Sequence, residues 1–137
     1  MTAIDDTHGQ LQIRSEGDIV TARRRVRDAA AALGFGITDV TRIVTAASEL
    51  TRNIYLYAQS GVMRWRSVNQ GATHGLELTF EDHGPGIADV DKALEPGFTT
   101  GRGMGLGLPG AKRLMDEMTI HSSPGHGTLV EVRKWLK

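Results

Sequence analysis

With 137 residues, 39% of them hydrophobic, the chain has room for one domain with a proper core. Its 16 Lys and Arg balance 16 Asp and Glu, so no global field draws it to nucleic acid or to an anionic membrane. The absence of cysteine excludes a disulfide framework and a thiolate zinc site and suits a reducing cytoplasm, while the polar start Met1 to Asp6 and the shortness of the longest apolar run, Ala29 to Leu33, predict neither signal peptide nor membrane span.

Residues 1–9 read as a frayed polar start, and the alternation Leu11-Gln12-Ile13-Arg14 predicts a first strand. From Asp18 onward, Ile19, Ala22, Val26, Ala29, Ala30 and Leu33 form a helical apolar stripe that Gly34 and Gly36 close. Arg23, Arg24, Arg25 and Arg27 lie beside it, either a solvated face or a docking patch. A long core helix should follow, capped by Thr38 or Asp39 and running to about Gln59 on the stripe Val40, Ile43, Val44, Ala47, Leu50, Ile54 and Tyr57. At about 100° per residue, Glu49 and Asn53 lie roughly 40° apart on the flank of that stripe, with Arg42 and Arg52 near enough to pair with Glu49.

Two strands, 62–68 and 76–82, come next, joined across the turn residues Asn69 to Gly75. Leu76, Leu78 and Phe80 share one face, and the period of two carries Asp82 onto it. A buried carboxylate needs a donor; a ligand amino group or a protein N–H would each serve. Asp89 to Leu94 reads as a short helix, then a glycine-dense loop leads into a helix over 108–118, with Leu108, Ala111, Leu114, Met115 and Met118 inward. Strands over 119–123 and 128–136 flank the turn Pro124-Gly125-His126-Gly127. Helices and hairpins are thus segregated, which predicts an α+β fold, a two-layer sandwich of one mixed, mostly antiparallel sheet under helices on one face.

Ten of the 17 glycines fall between Gly84 and Gly127, where bare backbone can approach a ligand and cradle phosphate. Pro109 begins a helix whose N-terminal donors point back at the same place. Gly105-Leu106-Gly107-Leu108-Pro109-Gly110 satisfies G-x-G-x-x-G but follows no strand, which argues against a dinucleotide fold, and no P-loop motif occurs. The five histidines lack H-x-x-x-H or H-E-x-x-H spacing, and Ser48 lacks an elbow motif, leaving zinc and hydrolase chemistry without support.

Taken together, Glu49-Leu50-x-x-Asn53 on a helix, Asp82-x-Gly84-x-Gly86 after a strand, Gly103-x-Gly105-Leu106-Gly107-Leu108 before a helix and Gly127-Thr128 opening a strand resemble the GHKL ATPases. The chain is most similar to their RsbT type of switch-protein serine kinase, in the stretches 49–58 and 108–117. The resemblance implies a Bergerat ATP-binding fold over a single domain, residues 1–137. It further implies that Asn53 holds Mg²⁺ bridging the ATP phosphates and that Asp82 accepts from the adenine amino group. Gly84 and Gly86 would leave room for the base, Gly103, Gly105, Gly107 and Leu108 would belong to the lid segment, and Thr128 would add a contact near adenine. Glu49 would be the general base for an attacking serine or threonine hydroxyl, and the position and charge of Arg102 suit a γ-phosphate clamp.

The expected function is therefore a cytoplasmic ATP-dependent serine/threonine protein kinase of a bacterial stress-signalling partner switch. The implied substrates and scaffolds are STAS-domain proteins, and the released kinase would activate a PP2C-type phosphatase, with no nucleic acid or membrane partner. The alternative is a nucleotide-gated anti-sigma factor or binding module that acts mainly by sequestration.

Overall fold

Alternating side chains on neighbouring strands set the frame of this computed structural model, which describes residues 7–87, 89, 90, 94 and 107–137. The elements are β1 (His8–Ile13), α1 (Glu16–Ala32), α2 (Ile37–Asn53), a π-helical turn (Ile54–Ala58), β2 (Gly61–Gln70), β3 (Thr73–Asp82), α3 (Leu108–Leu114), β4 (Glu117–Ser122) and β5 (Thr128–Trp135). One five-stranded sheet has the order β1-β2-β3-β5-β4. Among the described residues all four pairings are antiparallel, where the sequence predicts a mixed, mostly antiparallel sheet.

Met63 and Trp65 of β2, Leu76, Leu78 and Phe80 of β3, and Val130 and Val132 of β5 fill the inner face. Ala22, Val26, Ala29, Ile43, Ala46, Ala47 and Leu50 close the core from the helices, with Ala111 and Met115 beside them. Small alanines on α1 and α2 let the two helices lie close to each other and to the sheet, and burying the larger apolar side chains supplies about 1.5–3 kcal/mol apiece.

Several boundaries differ from the expected ones for local reasons. Strand β1 begins at His8 rather than Leu11, because His8 to Leu11 pair in register with Arg66 to Met63 of β2. Helix α1 starts at Glu16, two residues early, since Ser15 and Asp18 form a reciprocal capping box: Asp18 N–H donates to Ser15 Oγ at 3.3 Å and Ser15 N–H to Asp18 Oδ2 at 3.1 Å. The cap of α2 is Gly36, not Thr38 or Asp39; Asp39 instead lies in the first turn and pairs with Arg42 at 3.0 Å. Helix α2 ends at Asn53, and the π turn that replaces its last stretch closes at Gln59, whose φ of 71° reverses the chain toward β2. The β2–β3 turn needs only Gly71 and Ala72, with Gly71 at φ 61°, so both strands are longer than expected. Helix α3 stops at Leu114 and Met115 is extended, which gives Met118 to β4. Leu94 N–H donates to Val90 O, one turn of the expected 89–94 helix; its other residues, and the glycine loop up to Leu106, lie outside the described residues.

Lys134 sits on the inner face at the end of β5, 5% exposed. Its Nζ donates to the Leu114 carbonyl at 2.8 Å and faces Asp116 at 3.5 Å and Asp39 at 3.8 Å, joining the end of α3 to the start of α2. Burial pushes the Asp116 carboxyl up, but the Trp135 N–H and the cations of Lys134 and Lys137 outweigh it and hold the group below its ordinary value. Among the described residues no helix is long and apolar enough to cross a membrane.

The outer face carries a charge row across four strands. Glu77, 3% exposed beneath its neighbours, accepts from Arg66 Nε and Arg133 Nε at 2.7 Å each, and Arg133 reaches Glu117 at 3.4 Å. Burial raises the Glu77 carboxyl, yet the two guanidinium groups more than offset this and leave it below its ordinary value of 4.5. A lowered folded-state pKa means stability that is present above the unfolded value and lost as pH falls through the folded one. Glu77→Gln should therefore lower the melting temperature by about 5 °C at about pH 7, as expected for losing about 1–2 kcal/mol in a domain of this size, and the deficit should shrink at about pH 4. Thermal melts of both proteins across that range check it; a deficit independent of pH would contradict the ionic account.

Candidate functional site

The ends of α2, β3 and β5 converge on an open cleft of about 270 Å³. Its walls are apolar, from Leu50, Ile54, Phe80, Ile87, Leu108 and Val130, with Tyr57 and Ala58 of the π turn along one side. Asn53, Asp82 and Thr128 supply polar side chains to a pocket whose lining is otherwise mostly apolar.

Asp82 ends β3 on the same face as Leu76, Leu78 and Phe80, because the strand period does not break before it. Its register partner on β5 is Thr128. Oδ1 accepts the Gly84 N–H at 2.9 Å, and the Thr128 N–H also donates to the carboxylate. Burial raises the Asp82 pKa above its ordinary value, and the Gly84 and Thr128 donors only partly counter it. Charge on this group therefore costs the fold something, and the carboxylate keeps lone pairs to spare for a further donor in the cleft.

The loop after Asp82 is stitched to the β4–β5 turn. Gly125 N–H donates to Pro85 O at 2.8 Å, and Ile87 N–H donates to Ser122 Oγ at 2.8 Å. Gly84 lies against Ala58, where a β-carbon would stand 2.6 Å from the Ala58 Cβ, so any larger residue would drive the loop off the π turn. This close packing, rather than open space alone, explains a glycine at position 84.

Glu49 stands one helical turn before Asn53 on α2. Gly107, at φ 70° just ahead of α3, crosses directly over it: a β-carbon there would come within 2.5 Å of Glu49 Oε2. Arg42 is engaged with Asp39, and among the described residues Glu49 has no ion-pair partner, so the pairing of Glu49 with Arg42 or Arg52 that the sequence allows is not formed there.

Of the residues singled out in the sequence, Asn53, Asp82, Gly86, Leu108 and Thr128 line one cleft, with Gly84 behind Asp82 and Glu49 under Gly107. Arg102, Gly103 and Gly105 lie outside the described residues. Sequence reasoning did not single out Tyr57, Ala58 and Ile87 as lining residues or Ser122 as a support. Tyr57 was recognisable as the aromatic one turn beyond Asn53; nothing in the sequence marks Ser122, whose role comes from contacts 35 residues apart. Among the described residues no group of three or more His, Asp or Glu could hold a metal ion, so a cation here would need ligands brought by the bound molecule beside the Asn53 amide.

Because its folded-state pKa is raised, ionised Asp82 destabilises the fold at neutral pH, and that cost disappears as pH falls and the group protonates. Asp82→Asn should consequently hold or raise the melting temperature at about pH 7, with the advantage fading toward about pH 4. Thermal denaturation over that range tests this; a loss of stability at neutral pH would contradict it.

Residues 14–134 match the model of the histidine kinase-like ATPase domain. The chain is 50% identical over 127 residues to the serine/threonine-protein kinase RsbT of Bacillus subtilis (strain 168), covering 93% of this chain and 96% of that one. It is 35% identical over 121 residues to the anti-sigma F factor of Caldanaerobacter subterraneus subsp. tengcongensis, covering 84% and 83% respectively. Among solved structures it is similar in fold to a chain of the SiaB-SiaC complex from Pseudomonas aeruginosa, with a TM-score of 0.56 and 13% identity over 93% of this chain and 89% of that one.

Proposed function

This chain belongs to the histidine kinase-like ATPase family, and from that premise we propose that it is an ATP-dependent serine/threonine protein kinase acting in a partner switch. The single observation that carries the reading is the cleft in which Asp82, Asn53 and Thr128 stand at the edge of an apolar slot with Glu49 one turn away. A flat amino-substituted base fits the apolar walls, and the spare lone pairs of Asp82 meet its N–H.

Bound ATP with Mg²⁺ supplies a transferable phosphoryl group and a cation that draws charge from its oxygens. Asn53 would hold that cation through its amide oxygen. Asp82 would receive the base amino group, and Thr128 would contact the base beside it. Gly84 and Gly86 would leave room for the base, and Gly103, Gly105, Gly107 and Leu108 are the proposed lid residues for the phosphates. Arg102 is the proposed clamp for the terminal phosphate. Glu49, lacking an ion-pair partner among the described residues, accepts the proton of a serine or threonine hydroxyl on the protein substrate.

STAS-domain antagonists and scaffolds are the proposed substrates, and a PP2C-type phosphatase the partner activated after release, with residues 1–137 acting as one domain in the cytoplasm. The solvent side of α1 suits such docking: Arg24, Arg25 and Arg27 are exposed, have no ion pair among the described residues, and flank Val20, itself 56% exposed. Switching requires different affinities for the two partners, shifted by phosphorylation of one of them.

The test is transfer of the γ-phosphoryl of labelled Mg·ATP to a purified STAS-domain protein. The label should be acid-stable and alkali-labile, as expected of a phosphoserine or phosphothreonine. Glu49→Ala should reduce transfer by about 10²-fold or more while leaving ATP affinity within a few-fold, since it removes a proton acceptor and not a nucleotide contact. ATP binding and complex formation without transfer by the unaltered protein would favour a sequestering, nucleotide-gated binding module instead.

A further inference from the structure

Ser122 ends β4, and its hydroxyl has three polar neighbours. Ile87 N–H donates to Oγ at 2.8 Å, the Gly127 carbonyl lies at 2.9 Å and Thr128 Oγ1 at 3.0 Å. A serine hydroxyl has one proton and two lone pairs. The Gly127 carbonyl can only accept, so it takes the Ser122 proton; the Ile87 N–H can only donate, so it takes one lone pair. Thr128 must then give its own hydroxyl proton to the remaining lone pair of Ser122. Thr128 Oγ1 is left with lone pairs alone.

Beside Thr128, in register across β3 and β5, stands Asp82, whose Oδ1 already acts as an acceptor, taking the Gly84 N–H at 2.9 Å. Both residues line the cleft. Its polar end therefore presents acceptors from two adjacent strands. Resting on the nucleotide-site reading above, we propose that Ser122 is a specificity-determining positioning residue: by fixing Thr128 as an acceptor, it makes the cleft take a base with an exocyclic amino group and reject one with an oxo group at that place. An amino group brings two N–H donors and no accessible lone pair. An oxo group brings lone pairs against lone pairs and leaves buried acceptors unpaired. Freed from Ser122, the Thr128 hydroxyl would rotate and donate to the oxo group.

Calorimetric binding of Mg·ATP and Mg·ITP to the full chain separates this role from a structural one, because inosine differs from adenosine at the 6-amino edge. The unaltered protein should favour ATP by about tenfold or more. Ser122→Ala should cut that ratio by at least about threefold, whatever it does to both affinities through the lost Ile87 contact. Adding it to Thr128→Val should leave the ratio of Thr128→Val unchanged. Equal weakening of ATP and ITP by Ser122→Ala, or the same ratio change in the Thr128→Val background, would overturn the proposal. Thr128→Val alone, with Ser122 in place, gives an independent reading should Ser122→Ala not fold: it should weaken ATP more than ITP, and an equal effect on both counts against the proposal. If the unaltered chain binds neither nucleotide, the nucleotide-site reading itself falls.

Discussion

Strand β3 is the constraint on which the site depends. Paired on both sides, by β2 and by β5, it cannot slip by one residue without turning Leu76, Leu78 and Phe80 out of the core. The same register holds Asp82 inward at the mouth of the cleft. The position of the carboxylate is thus fixed by hydrophobic burial several residues away, and the cost of its ionisation is met by the cooperative packing of the whole sheet.

Around that fixed point the fold makes its loops rigid by cross-bracing. Residues 84–87 hydrogen-bond to the β4–β5 turn through Pro85 with Gly125 and Ile87 with Ser122, and Gly84 rests on Ala58 of the π turn. Three segments distant in sequence are therefore tied together along one wall of the cleft. Lys134 does the corresponding work at the opposite end of α3, holding the Leu114 carbonyl and the Asp39 and Asp116 carboxylates together. Helix α3 is only seven residues long and has little propensity to stand alone, so its place against α2 comes from Leu108, Ala111 and this buried ammonium.

What could be read from the sequence was what depends on period. The apolar spacing of α1 and α2 and the inward phase of Asp82 follow from repeats of 3.6 and 2, whereas the grouping of Asn53, Asp82 and Thr128 around one cleft is legible only from the resemblance of their motifs to a known family. What could not be read depends on competition between local and long-range contacts. Gly36 displaced Thr38 and Asp39 as the cap of α2, and the helix gave way to a π turn after Asn53, choices that propensity alone does not make. The early end of α3 likewise reflects pairing of Glu117 and Met118 with Arg133 and Val132, an interaction invisible in a helical stripe of apolar residues. Ser122 is a single hydroxyl whose meaning exists only once Ile87, Gly127 and Thr128 are brought to it.

Two carboxylates on the same strand show how structure and function divide. Glu77 faces outward and Asp82 inward, and burial raises the pKa of each. At Glu77 two guanidinium groups more than compensate, the group ends below its ordinary value, and the result is an ionic unit covered by Arg66 and Arg133 on the outer face. At Asp82 the compensation comes from two backbone N–H groups and is incomplete, so the pKa stays raised and acceptor capacity remains. A fully satisfied Asp82 would stabilise the fold more and bind less, since any donor in the cleft would compete with a partner already in place. Incomplete compensation leaves Asp82 able to take a further donor, and five residues along the same strand the complete kind helps hold the sheet.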